Sequence, residues 1–250
     1  MAYLLKGKPQ SLAILDFGLF QVHANGRIIG IPGALVETDA GERVLIDSGF
    51  PKKYADDVEA ASEEDQLGKF GKVLSLTSEN QPPAQLEKLG LSMADIDYLV
   101  ITHTHIDHMG NMDAFPNRPI IIGGPERALP MPLYWREKQP YQWPDREYIL
   151  INQDTEIAPG FTILFVPGHT PGELAIYVEL PQTGGILWTS DAISRLEEVE
   201  EGCKDSFDPN QALHHAHRLL DLGRERNALV IFGHGPAQWA ELKKAPERYL

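Results

Sequence analysis

With 250 residues, 42% of them hydrophobic, the chain is long enough to bury one large core. Its formal net charge of -14 excludes the basic face that a phosphate backbone needs, so nucleic acid is not an expected partner. The single cysteine, Cys203, excludes an internal disulfide and a cysteine-built zinc site.

No polar, Gly/Ser-rich linker divides the sequence, so residues 1–250 read as one domain. The apolar stretch Ser11 to Phe20 is broken by Asp16 and followed by no small-residue cleavage pattern, so it does not read as a signal peptide. Nothing approaches the ~18 apolar residues of a membrane span. The expectation is a soluble cytoplasmic protein with no membrane partner.

In chain order, ALVETDAGERVLIDSG (Ala34 to Gly49) reads as a hairpin that turns at Asp39-Ala40-Gly41, its second strand ending at Asp47. A helix is predicted over Pro83 to Leu91, with Gly90 as its stop, then strands over Tyr98 to Thr102 and Pro119 to Ile122. Leu129 to Tyr148 carries prolines, tryptophans and tyrosines with no regular period. It reads as a packed surface excursion or as an aromatic wall over a pocket, the second being favoured because it follows a histidine cluster closely. After a strand over Thr162 to Val166, IYVELPQTGGILWTSD (Ile176 to Asp191) repeats the hairpin plan and again delivers an aspartate at a strand end. That echo suggests two similar halves, although taken alone it is equally compatible with chance. A helix follows, with Asp208 as N-cap, Pro209 in its first turn and Leu213, Ala216 and Leu220 as its buried stripe, then a strand over Leu229 to Phe232. Strands alternating with helices predict an α/β layer architecture with functional groups on strand-end loops.

HTHIDH, His103 to His108, packs three histidines and a carboxylate into six residues at the end of the Tyr98 strand. His103 and His105 share a face of an extended segment, while Asp107 and His108 can diverge to a second point. The cluster suits two metal ions side by side in an open, catalytic site better than a closed structural one. Three later strand ends supply further ligands: His169 in VPGHTPG, Asp191 in WTSD and His234 in IFGHG.

In order and spacing, HTHIDH, PGHTPGE, Asp191 and FGHG resemble the motifs of the metallo-β-lactamase superfamily, and LIDSG at Asp47 resembles its first motif. The resemblance runs from about Leu35 to Gly235 and implies a four-layer αββα sandwich with two pseudo-symmetric halves. It also implies two divalent metal ions. One would take His103, His105 and His169, the other Asp107, His108 and His234, with Asp191 bridging and Asp47 orienting ligands without binding. Zinc is the first expectation; iron, manganese and cobalt suit the same ligands.

Within the superfamily, a true β-lactamase would usually carry cysteine at Asp191, and a flavodiiron protein would carry glutamate at His105 together with a flavin domain. RNA-processing members handle polyanions, which a chain of charge -14 repels. Four segments resemble the N-acyl homoserine lactonase, or quorum-quenching lactonase, branch: SEEDQ (Ser62 to Gln66), RPIIIGGPER (Arg118 to Arg127), IAPGFTILFVPGHTPGE (Ile157 to Glu173) and FDPNQAL. One departure stands out. That branch typically places a tyrosine three positions after the bridging aspartate, where this chain has Ser194.

The resemblance therefore implies a dinuclear metal-dependent hydrolase that opens an N-acyl homoserine lactone or related lactone by attack of a metal-bridging hydroxide. The alternatives are a hydroxyacylglutathione-type thioesterase, for which Lys243-Lys244 is the nearby basic pair, or another metal-dependent ester hydrolase. A non-catalytic or redox metal holder is disfavoured by the intact Asp191 and the absence of a flavin-binding segment. Catalysis would centre on Asp191 and on Asp107, which would carry a proton from the attacking water to the leaving alkoxide, or else serve as ligand alone. The expected partner is a small-molecule lactone or ester, with a homodimer left open. Ile106, Phe17, Phe20, Ile28 and Ile29 are candidates for an acyl-chain wall, against ordinary packing. Tyr134, Tyr141 and Tyr148 are candidates to bring a phenol towards the carbonyl. His23 reads as a plain loop imidazole, His214, His215 and His217 as surface or helix-packing residues, and the run Glu197 to Glu201 as a solvated segment.

Overall fold

The computed structural model describes residues 3–250. Twelve strands run as β1 (Pro9–Val22), β2 (Ile28–Thr38), β3 (Arg43–Ile46), β4 (Gly71–Ser75), β5 (Tyr98–Ile101), β6 (Ile120–Gly123), β7 (Tyr148–Ile151), β8 (Thr155–Ala158), β9 (Phe161–Phe165), β10 (Leu174–Leu180), β11 (Gly184–Trp188) and β12 (Leu229–Ile231). They form a seven-stranded sheet of order β4-β1-β2-β3-β5-β6-β7 and a five-stranded sheet of order β12-β11-β10-β9-β8.

The hairpin echo is structural. β1-β2-β3-β5 pair as antiparallel, antiparallel, parallel, and β9-β10-β11-β12 repeat that succession in the second sheet. Both repeats end their central hairpin on an aspartate-bearing turn, and both turns use a left-handed residue, Asp47 at φ 59° and Ser190 at φ 48°. A β-bulge between Asp16 and Leu19, with Gly18 at φ 119°, bends the long β1 so that it pairs with β2 and β4.

Side chains alternate across each strand, so the near-continuous apolar runs fill two cores at once. Val44 and Ile46 of β3 join Val100, Ile121, Ile176, Val178, Ile186 and Trp188 between the sheets. Leu45, Leu99, Ile120 and Ile122 point the other way, onto Tyr54 and Leu86 of the covering helices. On the far side Leu164, Ala175 and Leu187 pack against Ala212, Ala216 and Leu219. Helix, sheet, sheet and helix give the four-layer αββα sandwich. Each fully buried Leu, Ile or Val contributes roughly 1.5–3 kcal/mol.

The helix Pro209–Glu225 starts as its sequence predicts: the Asp208 side chain accepts from Gln211 N at 3.1 Å and Pro209 takes the first position. Ala216 is buried as expected, but the rest of the stripe is Ala212, Leu219 and Gly223, leaving Leu213 and Leu220 half-buried at the flanks. Small residues let the helix lie close: a Cβ on Gly223 would stand 2.7 Å from Val230, and one on Gly168 would meet the Ala212 backbone at 2.3 Å. The helix expected at Pro83 to Leu91 is Pro82–Glu87, closed by Gly90 at φ 74° with Leu91 N donating to Leu86 O. Among the described residues no helix is long and apolar enough to cross a membrane.

Candidate active site

Every singled-out ligand follows the carboxyl end of a strand, after β5, β9, β11 or β12, Asp47 follows β3 in the same way, and the two sheets bring these ends together. Three motifs are tied by one buried chain of hydrogen bonds. Asp47 accepts from Thr102 N at 2.8 Å and from Thr102 Oγ1, and Ser190 Oγ donates to Thr102 Oγ1 at 2.8 Å. After His105 the backbone enters the short helix Ile106–Met109, which carries Asp107 and brings the His108 ring to 4.0 Å, centroid to centroid, from that of His103.

The outer nitrogens of three imidazoles are held. His108 Nδ1 meets Asp47 Oδ2 at 2.8 Å, His234 Nδ1 meets Gly30 O at 2.9 Å, and His103 Nδ1 lies 3.3 Å from Glu173 Oε2. These contacts turn each Nε2 inward, the orientation a metal ligand needs. The inward atoms converge. His169 Nε2 is 3.1 Å from His105 Nδ1 and 3.6 Å from Asp191 Oδ2, and His234 Nε2 is 3.2 Å from Asp191 Oδ1 and 3.4 Å from Asp107 Oδ2. Three sets, His103-His105-His169, His103-His108-Asp191 and Asp107-His108-His234, each gather their donor atoms within 4.8 Å. Buried His103 Nε2, His108 Nε2 and Asp191 Oδ1 have no hydrogen-bond partner among the described residues. Buried polar atoms ordinarily find partners, so three orphans aimed at one point fit a cation pair.

The charges within the cluster are divided. Burial pulls His169 down to about 3, and burial with its imidazole neighbours holds His103 well below its ordinary value. Burial also opposes charge on His108, but Asp107, Asp47 and Asp191 outweigh it and push the imidazole up to about 10. For His234, Asp191 likewise overcomes burial and raises it to about 9. Burial works against the Asp191 anion too, yet His234 and His108 keep its carboxyl well below the usual range. One side of the cluster is neutral and donor-rich; the other holds protons that a cation would displace.

Residues 34–234 match the family model of the metallo-beta-lactamase superfamily. The chain belongs to the metallo-β-lactamase superfamily. It is 32% identical over 232 residues to the N-acyl homoserine lactonase AiiA of Bacillus thuringiensis subsp. kurstaki, covering 89% of this chain and 88% of that one. It is 30% identical over 178 residues to the N-acyl homoserine lactonase AttM of Rhizobium radiobacter, covering 66% of this chain and 68% of that one. Among solved structures, an N-acyl homoserine lactone hydrolase with the product N-hexanoyl-L-homoserine at its catalytic metal centre superposes with TM-score 0.80. The two are 26% identical, over 97% of this chain and 100% of that one. A B. thuringiensis AiiA mutant holding N-decanoyl-L-homoserine superposes with TM-score 0.82 at 26% identity, over the same shares of the two chains.

In this metallo-β-lactamase superfamily chain the cluster forms the floor of a cavity of about 610 Å³. Its walls include Phe20, Ile29, Phe50, Phe70, Ile106 and Trp135, and Arg27, Arg136, Ser194, Arg195 and Glu198 add polar groups. Of the expected acyl wall, Phe20, Ile29 and Ile106 line it. Phe17 does not: it is fully buried beneath Gly33 and Gly49, where added Cβ atoms would collide with its ring. Ile28 is exposed on β2, away from the lining.

The aromatic excursion lends the cleft Trp135 and Arg136, but its phenols are committed elsewhere. Tyr134 is buried with its hydroxyl donating to Asp65 Oδ2, and the Tyr148 hydroxyl donates to Pro144 O. Tyr141 packs its ring on Tyr134, outside the cavity lining. Lys243 and Lys244 also lie outside the lining; Lys244 Nζ donates to backbone carbonyls of Trp239 and Leu242. His23 is exposed, and His214, His215 and His217 lie on the helix Pro209–Glu225, apart from the cluster.

Two residues escaped sequence reasoning. Asp65, in the acidic insertion, is a buried anchor for Tyr54, Tyr134 and Lys53. Glu198, read as part of a solvated acidic run, lines the cleft with its Oε2 accepting from Ser194 N at 3.0 Å. Burial first, and then Asp191, raises its carboxyl above the usual range. The sequence signal for Glu198 is slight: its neighbour Val199, the apolar break in the run, is buried.

Proposed function

We propose that this chain is a dinuclear metal-dependent lactonase acting on N-acyl homoserine lactones, a quorum-quenching activity, and that residues 1–250 act as one hydrolase domain. The observation that carries the reading is the position of Asp191 between two imidazole-bearing sets, with His103 Nε2, His108 Nε2 and its own Oδ1 buried and lacking hydrogen-bond partners. His103, His105 and His169 would hold one ion, and Asp107, His108 and His234 the other, with Asp191 shared. The all-nitrogen-and-oxygen donor set suits zinc first, and iron, manganese or cobalt next. Relatives whose names and bound products are those of N-acyl homoserine lactone hydrolysis support the substrate class.

When bound, a divalent pair supplies Lewis acidity for the carbonyl and lowers the pKa of the attacking water towards neutrality. The residues do the rest. Asp47, Gly30 and Glu173 fix the orientations of His108, His234 and His103, so the inward geometry is set before substrate arrives. Asp107 lines the cavity and is partly exposed, and it would accept the proton released on attack and return it to the leaving alkoxide. Phe20, Ile29 and Ile106 offer an apolar wall for an acyl chain and exclude water from it.

The test is hydrolysis of N-hexanoyl-homoserine lactone by metal-loaded and chelator-treated protein. Turnover by the loaded protein, lost on chelation and restored by metal, supports the reading. Efficient turnover of an acylglutathione with no lactone opened would reverse it in favour of a thioesterase.

A further inference from the structure

Glu198 is placed unlike the other carboxylates of its segment. Arg195, the nearest cation in sequence, is taken up by Glu201 at 2.6 Å and Glu197 at 3.8 Å. Among the described residues, no lysine, arginine or histidine forms an ion pair with Glu198. Its carboxyl receives one N–H, from Ser194, and Ser194 O in turn accepts from His234 N at 2.8 Å. The carboxyl is thus tied through one residue to a segment that carries a cluster imidazole. It lines the same cavity as Asp191, Asp107 and His234.

A carboxylate has acceptor sites for about four hydrogen bonds, and a half-buried one with a single N–H donor has capacity to spare. In a cleft walled mainly by aromatic and aliphatic side chains, that capacity is a recognition element. Outside the cluster the other carboxylate in the lining is Asp205, which is exposed and competes with water. The complementary group on a substrate is an N–H close to the reacting carbonyl.

Building on the lactonase reading, we propose that Glu198 is a specificity-determining residue that accepts the amide N–H of the substrate, on the carbon beside the lactone carbonyl. It would thereby favour amide-bearing lactones over alkyl lactones of equal length. The Ser194 N–H holds one oxygen of the carboxyl in place, which presents the other to the amide without further ordering. Discrimination of this kind is effective because an alkyl lactone covers the half-buried carboxylate without giving its second oxygen a donor.

Glu198→Gln tests it. Glutamine offers one acceptor oxygen, and the Ser194 N–H engages it, so the amide N–H would meet the glutamine NH2, donor against donor. The measurements are KM and kcat for N-hexanoyl-homoserine lactone and for an α-alkyl butyrolactone of matching tail length. For Glu198→Gln the KM ratio should shift against the homoserine lactone by about tenfold or more, the scale of a hydrogen bond to a charged group. An inactive fraction lowers kcat on both substrates and leaves both KM values alone, so the ratio reads the contact and not folding. Glu198→Asp, which keeps the carboxylate but retracts it, gives a second reading in the same direction should the glutamine variant fail to fold. Glu197→Gln, on the exposed neighbour, should leave the ratio where it was. An unchanged KM ratio in both Glu198 variants would overturn the proposal while leaving the lactonase reading intact. Hydrolysis of neither lactone by the unaltered enzyme would overturn that reading and the proposal with it.

Discussion

The phenol of Tyr134 donates to Asp65 Oδ2 at 2.6 Å, and this contact bolts an inserted helix to the histidine motif. Asp65 closes the helix Val58–Asp65 and also accepts from Tyr54 Oη at 2.8 Å and Lys53 Nζ at 2.9 Å. Tyr134, at φ 57°, passes the constraint on through its backbone: its N–H donates to Thr104 O and its carbonyl accepts from Ile106 N. His105 sits between those two contacts. A carboxylate buried in one element therefore sets the position of a cluster imidazole in another.

Asp65→Ala should lower unfolding free energy by roughly 3 kcal/mol, because it strands two buried hydroxyls and a partly buried ammonium. Tyr134→Phe removes one donor and leaves the carboxylate paired, so it should cost about 1 kcal/mol. Denaturant unfolding of both variants checks the order; equal losses would contradict it.

Asp47 reaches the cluster through His108 and touches no inward donor atom itself. Asp47→Asn keeps the volume but weakens the hold on the His108 and Thr102 positions, so metal affinity should fall by about tenfold to a hundredfold. Competition with a coloured chelator reads this directly. An unaltered affinity would mean that the Asp47–His108 contact does not orient the ligand.

Ser194 works through its backbone, donating to Glu198 and accepting from His234 N. Ser194→Ala leaves both contacts in place and should cost no more than about tenfold in turnover, the worth of one neutral hydrogen bond at most. Asp191→Ala removes a carboxylate that faces three imidazoles and should cost far more. Kinetics at matched metal content separate the two, and a Ser194→Ala enzyme as inactive as the Asp191 variant would assign the hydroxyl a direct part.

The strand-end histidines and aspartates were legible because short apolar runs followed by polar turns mark where β3, β5, β9, β11 and β12 stop. The pairing of the two hairpins was legible for the same reason. What the sequence hid was orientation. Val199, Asp65 and Glu198 lie in acidic runs whose inward members differ from their outward ones only by tertiary packing. In the helix Pro209–Glu225 Ala216 is buried as expected, but Ala212 and Gly223 join it because their small size lets the helix lie close, which a count of large apolar residues does not show. The edge strands β4, β7 and β8 carry mixed patterns with exposed positions, and so lack the periodicity that marks central strands. Tyr134 showed as an aromatic in an irregular stretch; only the fold reveals that its hydroxyl is already engaged.

Cys203 is buried, and burial, with a contribution from Glu198, pushes its thiol up to about 11. At pH 8 it is therefore protonated as well as shielded, and a disulfide reagent should label native protein far more slowly than denatured protein. Equal rates would place the segment around Cys203 in rapid local opening.

Two cations shared by Asp191 are proposed to drive lactone hydrolysis, so activity should follow metal stoichiometry. Metal-free protein titrated with Co²⁺ reports on it directly when lactone hydrolysis is followed at each step. Hydrolysis of N-hexanoyl-homoserine lactone should rise to its plateau at two equivalents per chain, and full activity at one equivalent, with no further binding, would contradict the claim.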